Sequence, residues 1–241
     1  MKQVLYMAVV LIALGAGLFR LLTDRANGQP LTGDLMIDRF EETINVADNR
    51  LIISDRVQET LRTDGSRFIK SLRTYASKTS QSGFESLEIR SLYSAQLKQV
   101  EAVVPALKAY SKLPIGPSKP ITAAASCADR VPKVAKLLSH ASSSGRFGTT
   151  SETYEFEILS AKSGTSFKQK MEFFPSYGCL VGDSTNLVTE NGVAVSLKTI
   201  RVLGLQHVAD DPALFASAAD AGYTLAIPSE LMRKQAEISG T

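Results

Sequence analysis

Hydrophobic and polar positions follow three different rhythms along these 241 residues, and each rhythm predicts its own element. The first is an unbroken apolar run. From Val4 to Phe19 the chain carries no charge; Arg20 follows, and Leu21 and Leu22 close the run. A spanning helix needs about 20 mostly apolar residues to cross ~30 Å of hydrocarbon. This run meets that need if Arg20 snorkels to the interface, with Val4, Leu11, Leu14, Phe19 and Leu22 along the anchor. The competing expectation is a cleaved signal peptide, with Lys2 ahead of the apolar core and Ala13, Gly15, Ala16 and Gly17 as small residues near a cleavage point. Either segment exports the remainder.

The second rhythm is a spacing of three and four. After Asp34 apolar residues fall at Ile37, Phe40, Ile44, Ala47 and Leu51, a heptad-like seam. Thr63 to Ser66 interrupts it, and Ser77 to Gly83 is a turn without apolar residues. A second seam reads Ile89, Tyr93, Leu97, Val100, Val104 and Leu107, kinked at Pro105. Two such helices joined by a short turn predict an antiparallel hairpin or coiled coil over residues 28–112. Its seam packs on itself, on a second copy or on another membrane protein.

Residues 113–126 hold Pro114, Pro117 and Pro120 with Gly116, a linker composition. A short helix is expected from Asp129 to His140. From Thr149 the third rhythm begins, with a period of two. Tyr154, Phe156 and Ile158 alternate with Glu155 and Glu157, and Phe167 to Phe174 reads as a partner strand. Asn191-Gly192 between apolar runs signals a hairpin. Asp211-Pro212 and Pro228-Ser229-Glu230 open short helices, with a last strand near Tyr223 to Ile227. The expected fold class is therefore α+β, in four parts. These are an anchor or signal with its polar link (1–27), the helical hairpin (28–112), the linker (113–126), and an α+β domain (127–241) with an antiparallel sheet of about five strands.

Composition changes this picture little. The chain is 44% hydrophobic and 21% charged, which is globular rather than disordered. Its net charge of +3 owes much to Lys2, Arg20 and Arg25 near the start, so no basic patch points to nucleic acid. Cys127 and Cys179 are the two cysteines; in an exported chain they predict one disulfide, worth about 3–4 kcal/mol through loop entropy.

Candidate chemistry is sparse. Nucleophile elbows, phosphate loops, dinucleotide fingerprints and H-E-x-x-H are all missing. His140 and His207 stand alone, and Asp210-Asp211-Pro212 reads as a helix start. The acidic residues Glu152, Glu155, Glu157 and Glu172 read as a solvated sheet face. No cofactor, metal or catalytic residue is expected. The layout is that of a single-pass subunit of a bacterial envelope machine for secretion or pilus assembly, held in the inner membrane. It would act without catalysis, by contacts with the bilayer, with other membrane or periplasmic proteins, or with itself. The alternative is an exported ligand- or peptide-binding or sensing module.

Overall fold

Runs of β-branched and aromatic residues from Asp34 onward form strands. The computed structural model describes residues 33–76, 83–116, 123–144, 146–159 and 164–239. One meander comprises β1 (Asp34–Asn45), β2 (Arg50–Leu61), β3 (Arg67–Ala76), β4 (Phe84–Ser94), β5 (Gln99–Val104) and β6 (Ala109–Pro114). A second comprises β7 (Lys136–Ser144), β8 (Thr150–Leu159), β9 (Thr165–Phe174), β10 (Leu180–Glu190) and β11 (Val193–Val208). The two-residue strand β12 (Thr224–Leu225) and the helix α1 (Pro228–Ser239) follow. Among the described residues these strands form one sheet, in the order β12-β6-β5-β4-β3-β2-β1-β11-β10-β9-β8-β7. The meanders join where β1 pairs antiparallel with β11, and only β12 runs parallel to its neighbour, β6.

The helical hairpin expected over 28–112 is thus corrected to six strands, and with it the α+β fold class. Local side chains explain the turns. Asn45 accepts the N–H of Ala47 at 2.9 Å, and Asp48 accepts that of Arg50 at 3.1 Å. Asn49 takes the left-handed conformation (φ 53°) that Asn tolerates. The chain therefore reverses where the seam had Ala47. The remaining seam residues do not share a stripe. Ile37 faces inward and is fully buried, whereas Phe40 and Ile44 point to the opposite face and Leu51 lies across from Ile44. Tyr93 and Val100 are cross-strand partners. Leu97 sits in a turn, 65% exposed, and Leu107 ends a single 3-10 turn, Pro105–Leu107. The helix expected from Asp129 to His140 is a 3-10 turn, Ala128–Arg130, followed by β7.

A scaffolding subunit for secretion or pilus assembly loses its basis with the coiled coil, because pairing helices were its working part. Val4, Leu11, Leu14, Phe19 and Leu22 lie outside the described residues, as do residues 117–122 of the linker. Among the described residues no helix is long and apolar enough to cross a membrane.

Most of the core lies on one face of the sheet. Register places Leu35, Ile37, Val57, Leu61, Tyr75, Leu87, Val100 and Val104 on the same side as Val202, Ile200, Met171, Tyr154 and Phe156. Twelve strands exceed the roughly ten that an open twisted sheet holds without curling, so this is the inner face. α1 closes one end through Leu231, which packs with Tyr75, Leu87, Val104 and Ala109. At the other end Cys127 packs with Tyr154, Phe156, Met171 and Phe173.

Each meander contains the same turn. Val104 (φ −115°, ψ 96°) leads into Pro105, and Lys108 closes the turn in the left-handed region, its N–H bonded to the Pro105 carbonyl. Phe174 (φ −106°, ψ 99°) leads into Pro175, and Gly178 closes it in the same way. Proline fixes the first helical φ and needs no donor there, so it suits this position.

Candidate binding face

A sheet that needed only a core would be apolar across its inner face. This one carries a polar band through the middle. On β1, Arg39 and Glu41 point inward; on β2, Asp55 and Glu59 do so beside them. Arg39 Nη1 donates to Glu59 Oε2 at 2.6 Å, and its Nε donates to Glu41 Oε1 at 2.8 Å. Lys198 of β11 reaches the second Glu41 oxygen at 2.8 Å. Arg67 of β3 lies 3.4 Å from Glu59. Arg73, also on β3, grips Asp55 through two nitrogens at 3.0 Å, and Ser71 donates to the same carboxylate. The band continues through Asn186 of β10, opposite Lys198, and Gln169 of β9, opposite Asn186.

Burial makes this network costly. Only 4% of the Glu59 side chain is exposed, 14% of Glu41 and 18% of Arg39. Burial alone pushes the Glu41 carboxyl up, but Lys198 and Arg39 outweigh it and hold the group below the usual carboxylate range. Burial likewise favours a neutral Arg39, and Glu59 with Glu41 reverses that. The Tyr93 hydroxyl is pushed up by burial and then by Glu59. Asn186 Oδ1 is buried without a hydrogen-bond partner. Beside the band lie Ile53, Ile69, Ile89, Ile158, Phe167 and Val188, half-buried and on the same face. An apolar surface interrupted by a few convergent polar groups is the usual make-up of a small-molecule site.

A second depression, of about 570 Å³, opens where strands end, lined by Gly33, Asp34, Arg62, Thr63, Asp64, Val208, Ala209 and Asp210. Arg62 pairs there with Asp210 and stands 3.7 Å from Asp34. Burial, then Asp210, pushes the Asp34 carboxyl above its ordinary value, against the pull of Arg62. Among the described residues no group of three His, Cys, Asp or Glu side chains is placed to hold a metal.

Cys127 and Cys179 are bonded, closing a separation of 52 residues. Glu152 accepts the Cys127 N–H at 2.7 Å and the Tyr154 hydroxyl at 2.7 Å, so it is tied to the bridge. Arg130 is buried and donates to the Gly178 carbonyl at 2.9 Å. Glu155 pairs with Lys168 on the outer face. The histidines are not brought together: His140 stacks on Tyr154 from β7, and His207 lies on β11, with β8, β9 and β10 between them in the sheet. Asp210 pairs with Arg62. None of the band residues was legible as a site in the sequence. The signal was present in D-R-F-E-E-T and D-R-V-Q-E-T, where Arg39 with Glu41, and Asp55 with Glu59, are an even number of positions apart and so share a face inside two β-rich runs.

No protein-family model matches this chain, and no curated protein matches it. Among solved structures it is similar to a LolA superfamily protein from Nitrosomonas europaea, at 7% identity and a TM-score of 0.32, over 81% of this chain and 93% of that one. It is similar to a domain from Vibrio parahaemolyticus named for outer-membrane lipoprotein sorting, at 10% identity and a TM-score of 0.25, over 76% and 89%. A Bacteroides fragilis exported protein with a YmcC-like fold aligns at 12% identity and a TM-score of 0.24, over 75% and 100%. Likeness at these scores carries no argument about function.

Proposed function

We propose that this chain is an exported, non-catalytic binding module that takes its ligand against the inner face of the sheet. The observation that carries the reading is the largely buried Arg39–Glu41–Glu59 network, met at its rim by the exposed Lys198 and flanked by half-buried apolar side chains. A buried ion network is seldom the most stable filling for a core; well-packed apolar residues of similar volume do as well or better. Keeping one midway across a large apolar face suits a ligand with a polar group and an apolar body. The polar part lies against the band, and the apolar part lies along Ile53, Ile69, Ile89 and Phe167. Export fits the Cys127–Cys179 bridge, since disulfides persist in oxidising compartments.

Binding of an apolar fluorescent probe carrying an anionic group tests this on the full exported chain. Saturation at one probe per chain is expected, abolished by the pair Ile69→Glu and Phe167→Glu and weakened about tenfold by Lys198→Met, the loss expected for one charge-assisted contact of about 1.5 kcal/mol. Absence of saturable binding to the wild-type chain overturns the reading.

A further inference from the structure

The two ends of the sheet are built differently. At one, β12 pairs with Ala109 and Tyr110 of β6, and α1 packs beside that strand. At the other, among the described residues, β7 pairs only with β8, and all nine of its residues are exposed. An edge this long presents a row of main-chain donors and acceptors on which another strand can assemble. Chains that remain single blunt such an edge with proline, with charge or by shortening it. β7 contains no proline, its one charge, Lys136, sits at its first residue, and the one blunting device it carries is an irregularity at its start. Its irregularity is confined to Leu137/Ser139, so Ser139 to Ser144 run in unbroken register along β8.

We infer that β7 is a self-association edge, pairing antiparallel with β7 of a second copy of this chain about a two-fold axis at Ala141. Each sheet then continues into the other. The strand's own chemistry selects this partner. Pairing about Ala141 sets Ser139 opposite Ser143 and His140 opposite Ser142, with Ala141 opposite itself. Hydroxyl–hydroxyl and imidazole–hydroxyl pairs are favourable across strands, and no charge meets a like charge. Lys136 falls beyond the paired stretch. Positions are held ready from behind: His140 stacks on Tyr154 with 4.4 Å between ring centroids, and the Ser143 hydroxyl is 2.9 Å from that of Ser151. A foreign extended peptide would need charges or side-chain pockets to be chosen, and an uncharged row of serines supplies neither. A symmetric interface needs only self-complementarity.

Because Ala141 meets its own copy on the axis, a charge swap there gives a direct test. Sedimentation of the full exported chain should show a dimer that dissociates on dilution. Ala141→Lys and Ala141→Glu should each be monomeric at concentrations where the wild type is dimeric, since each sets like charges together. An equimolar mixture of the two variants should recover the dimer. Leu72→Lys, on the exposed outer face of β3, should leave association unchanged. A wild-type chain that is monomeric throughout, variants that stay dimeric, or a mixture that fails to associate each overturns the proposal.

Discussion

Glu101 reaches across 117 positions of sequence to accept the backbone N–H of Ala218 at 2.8 Å. Its carboxylate also takes the Ser217 hydroxyl at 3.1 Å and lies 3.2 Å from Lys112 Nζ. With 2% of its surface exposed, it is among the most buried charged groups described. It clasps the segment after β11 onto β5 and β6, where Ala218 packs with Val103 and Tyr110. That segment then delivers β12 to the sheet edge and α1 to the inner face. Glu101→Ala leaves the Ala218 donor buried without a partner, and should cost about 2–3 kcal/mol in urea unfolding. Limited proteolysis should then cut first between residues 210 and 223. An unchanged cleavage pattern would show that the clasp does not hold the segment.

The disulfide should matter more than any single ion pair. Joining residues 52 apart removes about 3–4 kcal/mol of loop entropy from the unfolded chain. The double change Cys127→Ser and Cys179→Ser is expected to lower stability by about that amount. Phe156→Ala, at a fully buried side chain in the same cluster, should cost a further 3–5 kcal/mol, roughly. A double Ser variant as stable as the oxidised chain would mean that the Cys127 segment is held by Glu152 and Arg130 alone.

Two carboxyls predict opposite pH trends. Glu41 is held below its ordinary value, so its stabilising contribution is present above the unfolded pKa and is lost as pH falls through the folded one. Glu41→Gln should cost about 2 kcal/mol at neutral pH, discounting the buried-pair figure for partial exposure, and little in acid. Asp34 is raised, so its contribution is present below the unfolded pKa and is lost as pH rises through the folded one. Asp34→Asn should therefore be more stable than the wild type at neutral pH, with the difference vanishing in acid. Unfolding midpoints across pH check both; the same sign for the two variants contradicts the assigned environments.

How much of this was legible in the sequence depended on which face of each strand carried charge. Tyr154, Phe156 and Ile158 face inward while Glu155 and Glu157 face outward, so β8 shows a clean period of two. Asn191 and Gly192 both adopt positive φ and turn β10 into β11, as Asn-Gly suggests. In β1 the alternation fails, because Arg39 and Glu41 are inside while Phe40 and Ile44 are outside. Apolar residues drawn from both faces then fall three and four apart, which imitates a helix. The polar band that hides the strands from a periodicity argument is the same band that makes the inner face a candidate site. Parallel pairing of β12 with β6 had no local signal, since it depends on the distant clasp at Glu101.

The repeated turn offers a cue that pattern reading passes over. Val103-Val104-Pro105-Ala106-Leu107-Lys108 and Phe173-Phe174-Pro175-Ser176-Tyr177-Gly178 have the same shape: two apolar residues, a proline, then a left-handed closing residue. One closes with lysine at φ 47° and the other with glycine at φ 66°. The left-handed region costs a side-chain-bearing residue about 1–2 kcal/mol, so the turns should answer unequally to exchange. Gly178→Ala should lose about 1 kcal/mol or more. Lys108→Gly relieves that cost but frees the unfolded chain, so it should stay within about 0.5 kcal/mol of the wild type. Urea midpoints of the two variants decide the matter. Equal losses at both positions would mean that Lys108 is held by its side chain and that the two turns are not the same backbone device.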